Sequence, residues 1–188
     1  MNTRAKSLST IAAAVLFTAS VVTLGYVMLG LMPMLLFALG FVGGLVLWLL
    51  IPKRPTFADI KVPFFISLAL FVVHKLEERY LCFFPALSEI TGVPTPSTDS
   101  VLVYALYALA ACWLLIPWLI GRRVDFGYFL GWTFFTSLGV IELAHFVFPL
   151  MRDAPYGYFP GMASVVVLAP AAWWGMWRMA RSPAGAEA

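Results

Sequence analysis

Residues 11–51 read IAAAVLFTASVVTLGYVMLGLMPMLLFALGFVGGLVLWLLI, and no charged side chain interrupts them. A helix that crosses a bilayer needs about 20 mostly apolar residues, so this run is long enough for two crossings. Gly30 and Pro33 mark the turn between them. Pro33 is expected to open the second crossing, where a missing N–H costs little. The reading gives helices over residues 9–30 and 33–51. Gly40 and Gly44 form a small-xxx-small pair that lets another helix approach closely. Arg4 and Lys6 resemble the basic region of a signal peptide, but the apolar run continues well past signal length. The segment therefore reads as an uncleaved signal-anchor leading into a second helix.

The rest of the chain repeats this character. Of 188 residues, 62% are hydrophobic and 11% charged. Soluble domains average about 45–50% and about 25%. A water-soluble fold of this size has no room to hide so much apolar surface. Further helices are expected over 63–83, opened by Pro63, and over 101–120, capped by Ser97, Asp99 or Ser100 and kinked at Pro117. Two more follow over 126–149, capped by Asp125, and over 161–180. Residues 85–100 and 151–160 read as loops. Cys82 and Cys112 fall at different depths and read as packing residues. The sequence thus predicts an all-α polytopic membrane protein. It would be a single membrane domain over 1–188 with six transmembrane helices and a flexible tail over 182–188. There is no internal repeat, Gly-rich phosphate loop or loop large enough to fold alone.

Basic residues set the expected orientation, because cytoplasmic loops carry an excess of Lys and Arg. With the N-terminus inside, Arg4, Lys6, Lys53, Arg54, Lys61, Arg122, Arg123, Arg178 and Arg181 are all cytoplasmic, and Arg152 alone is outside. Both termini are then cytoplasmic in a multi-pass protein of the cell (plasma or inner) membrane. Lipid is its expected partner. Nucleic acid is excluded, because the basic residues follow loop ends rather than one patch.

Two basic residues, Lys75 and Arg79, belong to neither side. They lie inside the third helix in the run His74-Lys75-Leu76-Glu77-Glu78-Arg79-Tyr80, and the fifth helix carries Glu142-Leu143-Ala144-His145. Each such residue costs about 2.5–3.5 kcal/mol on insertion scales, so intramembrane clusters tend to be functional. At 100° per residue His74, Glu77 and Glu78 share one helix face, and Glu142 and His145 share another. Counting 1.5 Å per residue from Pro63 and Phe126 puts the motifs about 17 and 24 Å along their helices. Both fall between mid-membrane and the outer interface. Imidazole and carboxylate at this spacing suit a metal, and di-iron bundles pair Glu-x-x-His motifs on facing helices. The set here falls short of four Glu and two His, so a single Zn or Fe is easier to satisfy. The same groups can also act without metal as acid and base on a lipid-like substrate. They can equally form an ion-pair network with Lys75 and Arg79, or a step in proton or ion movement. Tyr104 and Tyr107, one turn apart on the fourth helix, are candidates to hydrogen-bond the cluster. The expected function is a membrane enzyme acting on a hydrophobic small molecule. A non-enzymatic binder, transporter or structural subunit is the alternative, and the oligomeric state stays open.

The His74-Lys75-Leu76-Glu77-Glu78 run resembles the motif that names the HXXEE family of polytopic membrane proteins. Arg79-Tyr80, Phe84-Pro85, His145 and Tyr158-Phe159-Pro160-Gly161 are similar to that family's later elements, in order. The resemblance covers about residues 64–180 and leaves the first two helices as an addition. It departs at position 141, where the family pattern has Asn and this chain has Ile. It implies a fold and candidate residues, but no activity.

Overall fold

The computed structural model describes residues 6–94, 97 and 100–181, and all the regular structure among them is helical. Arg4, Asp99 and the expected tail over 182–188 lie outside the described residues. Helix α1 (Leu8–Leu29) and α2 (Leu31–Leu50) are separated by Gly30 alone, at φ +86°. Val93 packs against this glycine. Pro33 therefore sits within the first turn of α2.

Helix α3 (Phe57–Tyr80) begins six residues earlier than Pro63 suggests. Thr56 and Asp59 make a capping box that satisfies two end N–H groups. Pro63 lies inside the helix and cannot bond the Asp59 carbonyl one turn back. The Arg178 Nε donates to that carbonyl instead, at 2.8 Å. The earlier start changes the depth of the polar motif. His74 stands 17 residues beyond Phe57, and Glu142 stands 17 beyond Asp125. Both come to about 26 Å at 1.5 Å per residue, so the two motifs are level.

Residues 85–100 are not wholly a loop. Cys82, at φ +56°, turns the chain into a short helix α4 (Phe83–Thr91) that ends on left-handed Gly92. Pro85 is tolerated because it occupies the first turn. Next come α5 (Val101–Ala111), a 3-10 turn (Cys112–Leu115) and α6 (Ile116–Gly121). Ser100 caps α5, as expected. The 3-10 turn is the expected disturbance at Pro117, with Ile116 bonding the Trp113 carbonyl that proline cannot serve.

Helix α7 (Asp125–Thr136) is the hub, buried on every face from Gly127 onward. Its N-cap is Val124, and Asp125 instead pairs with Arg54 at 2.7 Å. Gly40 and Gly44 supply the expected close approach. Gly44 lies on the Thr133 backbone, and Thr136 donates to the Gly40 carbonyl at 2.7 Å. Beyond Thr136 the chain passes through a π turn (Ser137–Ile141) and two 3-10 turns, Glu142–Phe146 and Phe148–Met151. The last helix, α8 (Met162–Arg181), packs along α3 and α7.

Among the described residues, five stretches are long and apolar enough to cross a membrane: Leu8–Leu29, Leu31–Leu50, Phe57–Tyr80, Val103–Gly121 and Asp125–Phe146. Helix α8 matches them in length, but Pro170, three tryptophans and Arg178 dilute its apolar character. Polar contacts gather the chain's basic loops at one end. Lys6 donates to the Leu49 carbonyl, Arg123 to the Arg54 carbonyl, and Arg178 reaches Asp59. At the other end Arg152 pairs with Glu89 at 2.6 Å rather than with its neighbour Asp153.

Candidate metal or acid-base centre

Helix geometry selects which side chains meet. On α3, residues four apart are separated by only 40° around the axis, so His74 and Glu78 point the same way. The Glu142–His145 pair is three apart, which would splay it by 60° on an α-helix. Here it lies on a 3-10 turn, where positions three apart eclipse. The preceding π turn re-aims this segment, and the Trp173 indole N–H satisfies its Gly139 carbonyl at 2.7 Å.

The four side chains converge. His74 Nε2 lies 3.2 Å from Glu78 Oε1 and 3.1 Å from Glu142 Oε2. His145 Nε2 lies 3.3 Å from each of the same two oxygens. All four donor atoms fall within 4.8 Å of one another, and all four residues are buried. Lys75 comes in from the side, 2.7 Å from Glu78 Oε2 and 3.7 Å from Glu142 Oε1. It supplies the cation that α7 lacks.

The far nitrogens reveal what the near ones present. His145 Nδ1 faces the Pro160 carbonyl, which has only lone pairs, so this nitrogen carries the hydrogen. His74 Nδ1 faces Ser164 Oγ at 2.8 Å, and that hydroxyl donates to the Gly161 carbonyl at 3.1 Å. In that arrangement the Ser164 oxygen accepts from His74 Nδ1–H, the tautomer that leaves Nε2 without a hydrogen. Both rings, when neutral, turn an Nε2 lone pair toward carboxylate oxygens. Four acceptors cannot stay together without a cation or shared protons among them.

A metal ion answers that need. Its histidine ligands usually donate their other N–H to a carbonyl or similar group. A tetrahedral ion with bonds of about 2.0–2.1 Å has donor–donor edges of about 3.3–3.4 Å; the four N–O distances here are 3.1–3.3 Å, and the remaining pairs lie within 4.8 Å. The donor set, two imidazoles and two carboxylates, fits zinc or iron.

Glu77, expected in this set, does not enter it. It stands 100° around α3 from Glu78 and meets the start of α8. Its carboxylate accepts from the backbone N–H groups of Gly161, Ala163 and Ser164, at 3.0, 3.1 and 2.8 Å, and from the Tyr158 hydroxyl. It satisfies N–H groups that a helix start leaves unpaired. Tyr80 and Tyr104 are exposed and are not among the residues lining the cavity beside the cluster. Tyr107 lines a cavity beside it, as does Arg79. Thr133 and Thr136 bond helix carbonyls. Ile141 packs on Gly40, so position 141 serves packing. The reading from sequence missed Ser164 and the Pro160 carbonyl. The Tyr158–Gly161 stretch was the available signal for both.

The cavity has a volume of about 640 Å³ and is walled chiefly by apolar side chains, among them Phe37, Phe41, Phe71, Leu106 and Trp113. Glu78, Glu142, His145 and Lys75 form its polar patch. His74 stands behind them, against the ring of His145 with centroids 4.8 Å apart. Phe83, Phe148 and Phe159 cover the other side of His145.

Tyr158 lies in the loop before α8, and burial together with its bond to the Glu77 carboxylate raises its pKa. Folding therefore favours the protonated phenol. That contribution is whole below the unfolded value of about 10 and fades as pH rises through the higher folded value. We expect wild-type stability to fall more steeply above about pH 10 than that of Tyr158→Phe. Unfolding curves of the two proteins across pH 8–12 test this, and parallel curves would refute it.

No family model, curated protein or solved structure matches this chain, so the centre itself must carry the functional reading.

Proposed function

We propose that this chain is a membrane enzyme acting on a hydrophobic or lipid-like substrate, with one zinc or iron ion held by His74, Glu78, Glu142 and His145. The observation that carries this reading is the pair of imidazoles, each with Nδ1–H committed elsewhere and Nε2 turned onto two carboxylates. Such an ion would supply Lewis acidity to a substrate oxygen that joins its four side-chain ligands. The apolar cavity favours a greasy substrate. Glu78 and Glu142 border that cavity and are placed to take or return a proton there.

The membrane setting belongs to the same proposal. The chain crosses the cell membrane six times, with α8 as the sixth crossing and both termini cytoplasmic. The gathering of Lys6, Arg54, Arg123 and Arg178 at one end supports this orientation. The centre then lies in the outer half of the bilayer. The run from His74 to Glu78 and the segment from Tyr158 to Gly161, brought together here, are the elements on which membership in the HXXEE family is proposed.

One observation favours a second reading. Lys75 touches both carboxylates, so one shared proton in place of a metal would leave the cluster neutral. The four residues would then act as acid and base without an ion.

Elemental analysis of the full chain, purified in detergent and dialysed against zinc or iron, separates the two. The metal reading predicts about one equivalent in wild type and a loss of about 10²-fold or more in affinity in His74→Ala, Glu142→Ala and His145→Ala. Folded wild-type protein that retains no metal would overturn it and leave the acid–base reading standing.

A further inference from the structure

The cavity beside the centre has a mouth, and the mouth has a chemistry. Val72, Leu76 and Arg79 recur at helical spacing on one face of α3. All three line the cavity, yet Val72 and Leu76 are 54% and 47% exposed and Arg79 is exposed as well. Tyr107 of α5 lines the same cavity and is 53% exposed. Residues that both line a cavity and face outward mark its opening. The opening therefore runs lengthwise between α3 and α5, toward the surroundings of the helix bundle rather than toward one end. In the membrane orientation proposed above, it faces lipid.

Polarity along this slot is graded. Its deep end is aromatic, with Phe71 against Trp113 and Trp113 stacked on Phe41. Its other end carries Arg79, whose guanidinium makes no hydrogen bond or ion pair among the described residues. Lys75, one turn away, is already held by Glu78 and Glu142. The free positive charge at the mouth is thus that of Arg79.

We infer that the slot between α3 and α5 admits, sideways from the bilayer, a long-chain amphiphile with an acidic head, Arg79 holding the head and the Phe71–Trp113 end taking the tail. This rests on the reading of the cavity as the approach to the His/Glu centre, and it names the substrate class. Charge complementarity selects the acid over a neutral alcohol, because Arg offers a planar fork of donors matched to a carboxylate or phosphate. The cavity volume lies within the range of about 300–1,000 Å³ typical of small-molecule sites. Arg79 lines the same cavity as Glu78, Glu142 and His145, so a head held by Arg79 shares one chamber with the centre.

Trp113 provides the readout, since it lines the cavity. The probes are dibromostearic acid and the matching dibromostearyl alcohol, added to full-length protein in uncharged nanodiscs. The acid should quench tryptophan fluorescence saturably, and Trp113→Phe should remove that saturable part. The alcohol should need about ten-fold more for the same effect, the worth of one charge-assisted contact. Arg79→Gln should abolish the difference, and because Arg79 is exposed this variant should fold normally. Non-saturable quenching, or equal potency of acid and alcohol in wild type, would overturn the inference. Metal content is read on the same samples. Acid binding without metal would keep this inference and remove the metal reading; metal without acid binding would do the reverse.

Discussion

Gly161→Ala is expected to cost about 2–5 kcal/mol of stability and to abolish metal retention. Two causes add. Gly161 sits at φ +99°, a backbone conformation that costs a side-chain-bearing residue about 1–2 kcal/mol. A Cβ there would also collide with both imidazoles, His145 at Nδ1 and Cε1 and His74 at Cε1. Crowding of this kind in a packed site costs about 1–3 kcal/mol, and here it pushes the two proposed ligands apart. Gly157→Ala is the control, because a Cβ at that position meets only the Pro155 carbonyl, at ordinary contact distance. Unfolding in mixed micelles and metal content of both variants check this. A Gly161→Ala protein as stable and as metal-rich as Gly157→Ala would contradict the packing described here.

Glu77→Ala separates two roles that the sequence leaves merged. If Glu77 were a ligand, its loss would remove metal and leave the fold intact. In the structure it joins α3 to the start of α8 through three backbone N–H groups and the Tyr158 hydroxyl. Its removal leaves those donors unpaired. We expect a loss of about 2–4 kcal/mol, with metal affinity falling only through loosening of Gly161 and Ser164. Glu77→Gln keeps an acceptor oxygen and should recover about half of the stability. A Glu77→Ala protein of wild-type stability that has lost all metal would reverse the assignment.

The comparison of Glu77 with Glu78 shows where sequence reasoning reached and where it stopped. The apolar runs marked the long helices, because a stretch without charges has few other destinations. Depth alone put both motifs in the same half of the bilayer, and their meeting then hung on whether the two helices pack together. Choosing between two adjacent carboxylates needs the rotation of α3 about its axis, and that is set by packing against α8. No local signal carries it. The start of α3 was misplaced for a related reason. Pro63 is a legitimate helix opener, and what allows it inside is Arg178, more than a hundred residues away. Helix α4 was hidden because Pro85 falls in a first turn, where proline does no harm. The 3-10 turn that eclipses Glu142 and His145 was also invisible, since it follows a π turn whose Gly139 carbonyl is met by Trp173 of a distant helix.

The Tyr158-Phe159-Pro160-Gly161 stretch was legible as a motif but not as a mechanism. The structure gives each residue a task. Tyr158 donates to Glu77, Phe159 packs on His145, the Pro160 carbonyl fixes the His145 tautomer, and Gly161 leaves room for both rings. These four residues and Ser164 hold the donors from behind, much as metal ligands are oriented elsewhere by their outer partners.

In the proposed centre, two imidazoles and two carboxylates surround one ion. X-ray absorption at the metal edge of the full chain, reconstituted with zinc, tests it most directly. The expected spectrum shows about four nitrogen and oxygen neighbours at about 2.0–2.1 Å, with outer-shell scattering from two imidazoles that falls to one in His145→Ala. A sulfur neighbour, a shell without imidazole, or a spectrum unchanged in His145→Ala would contradict it.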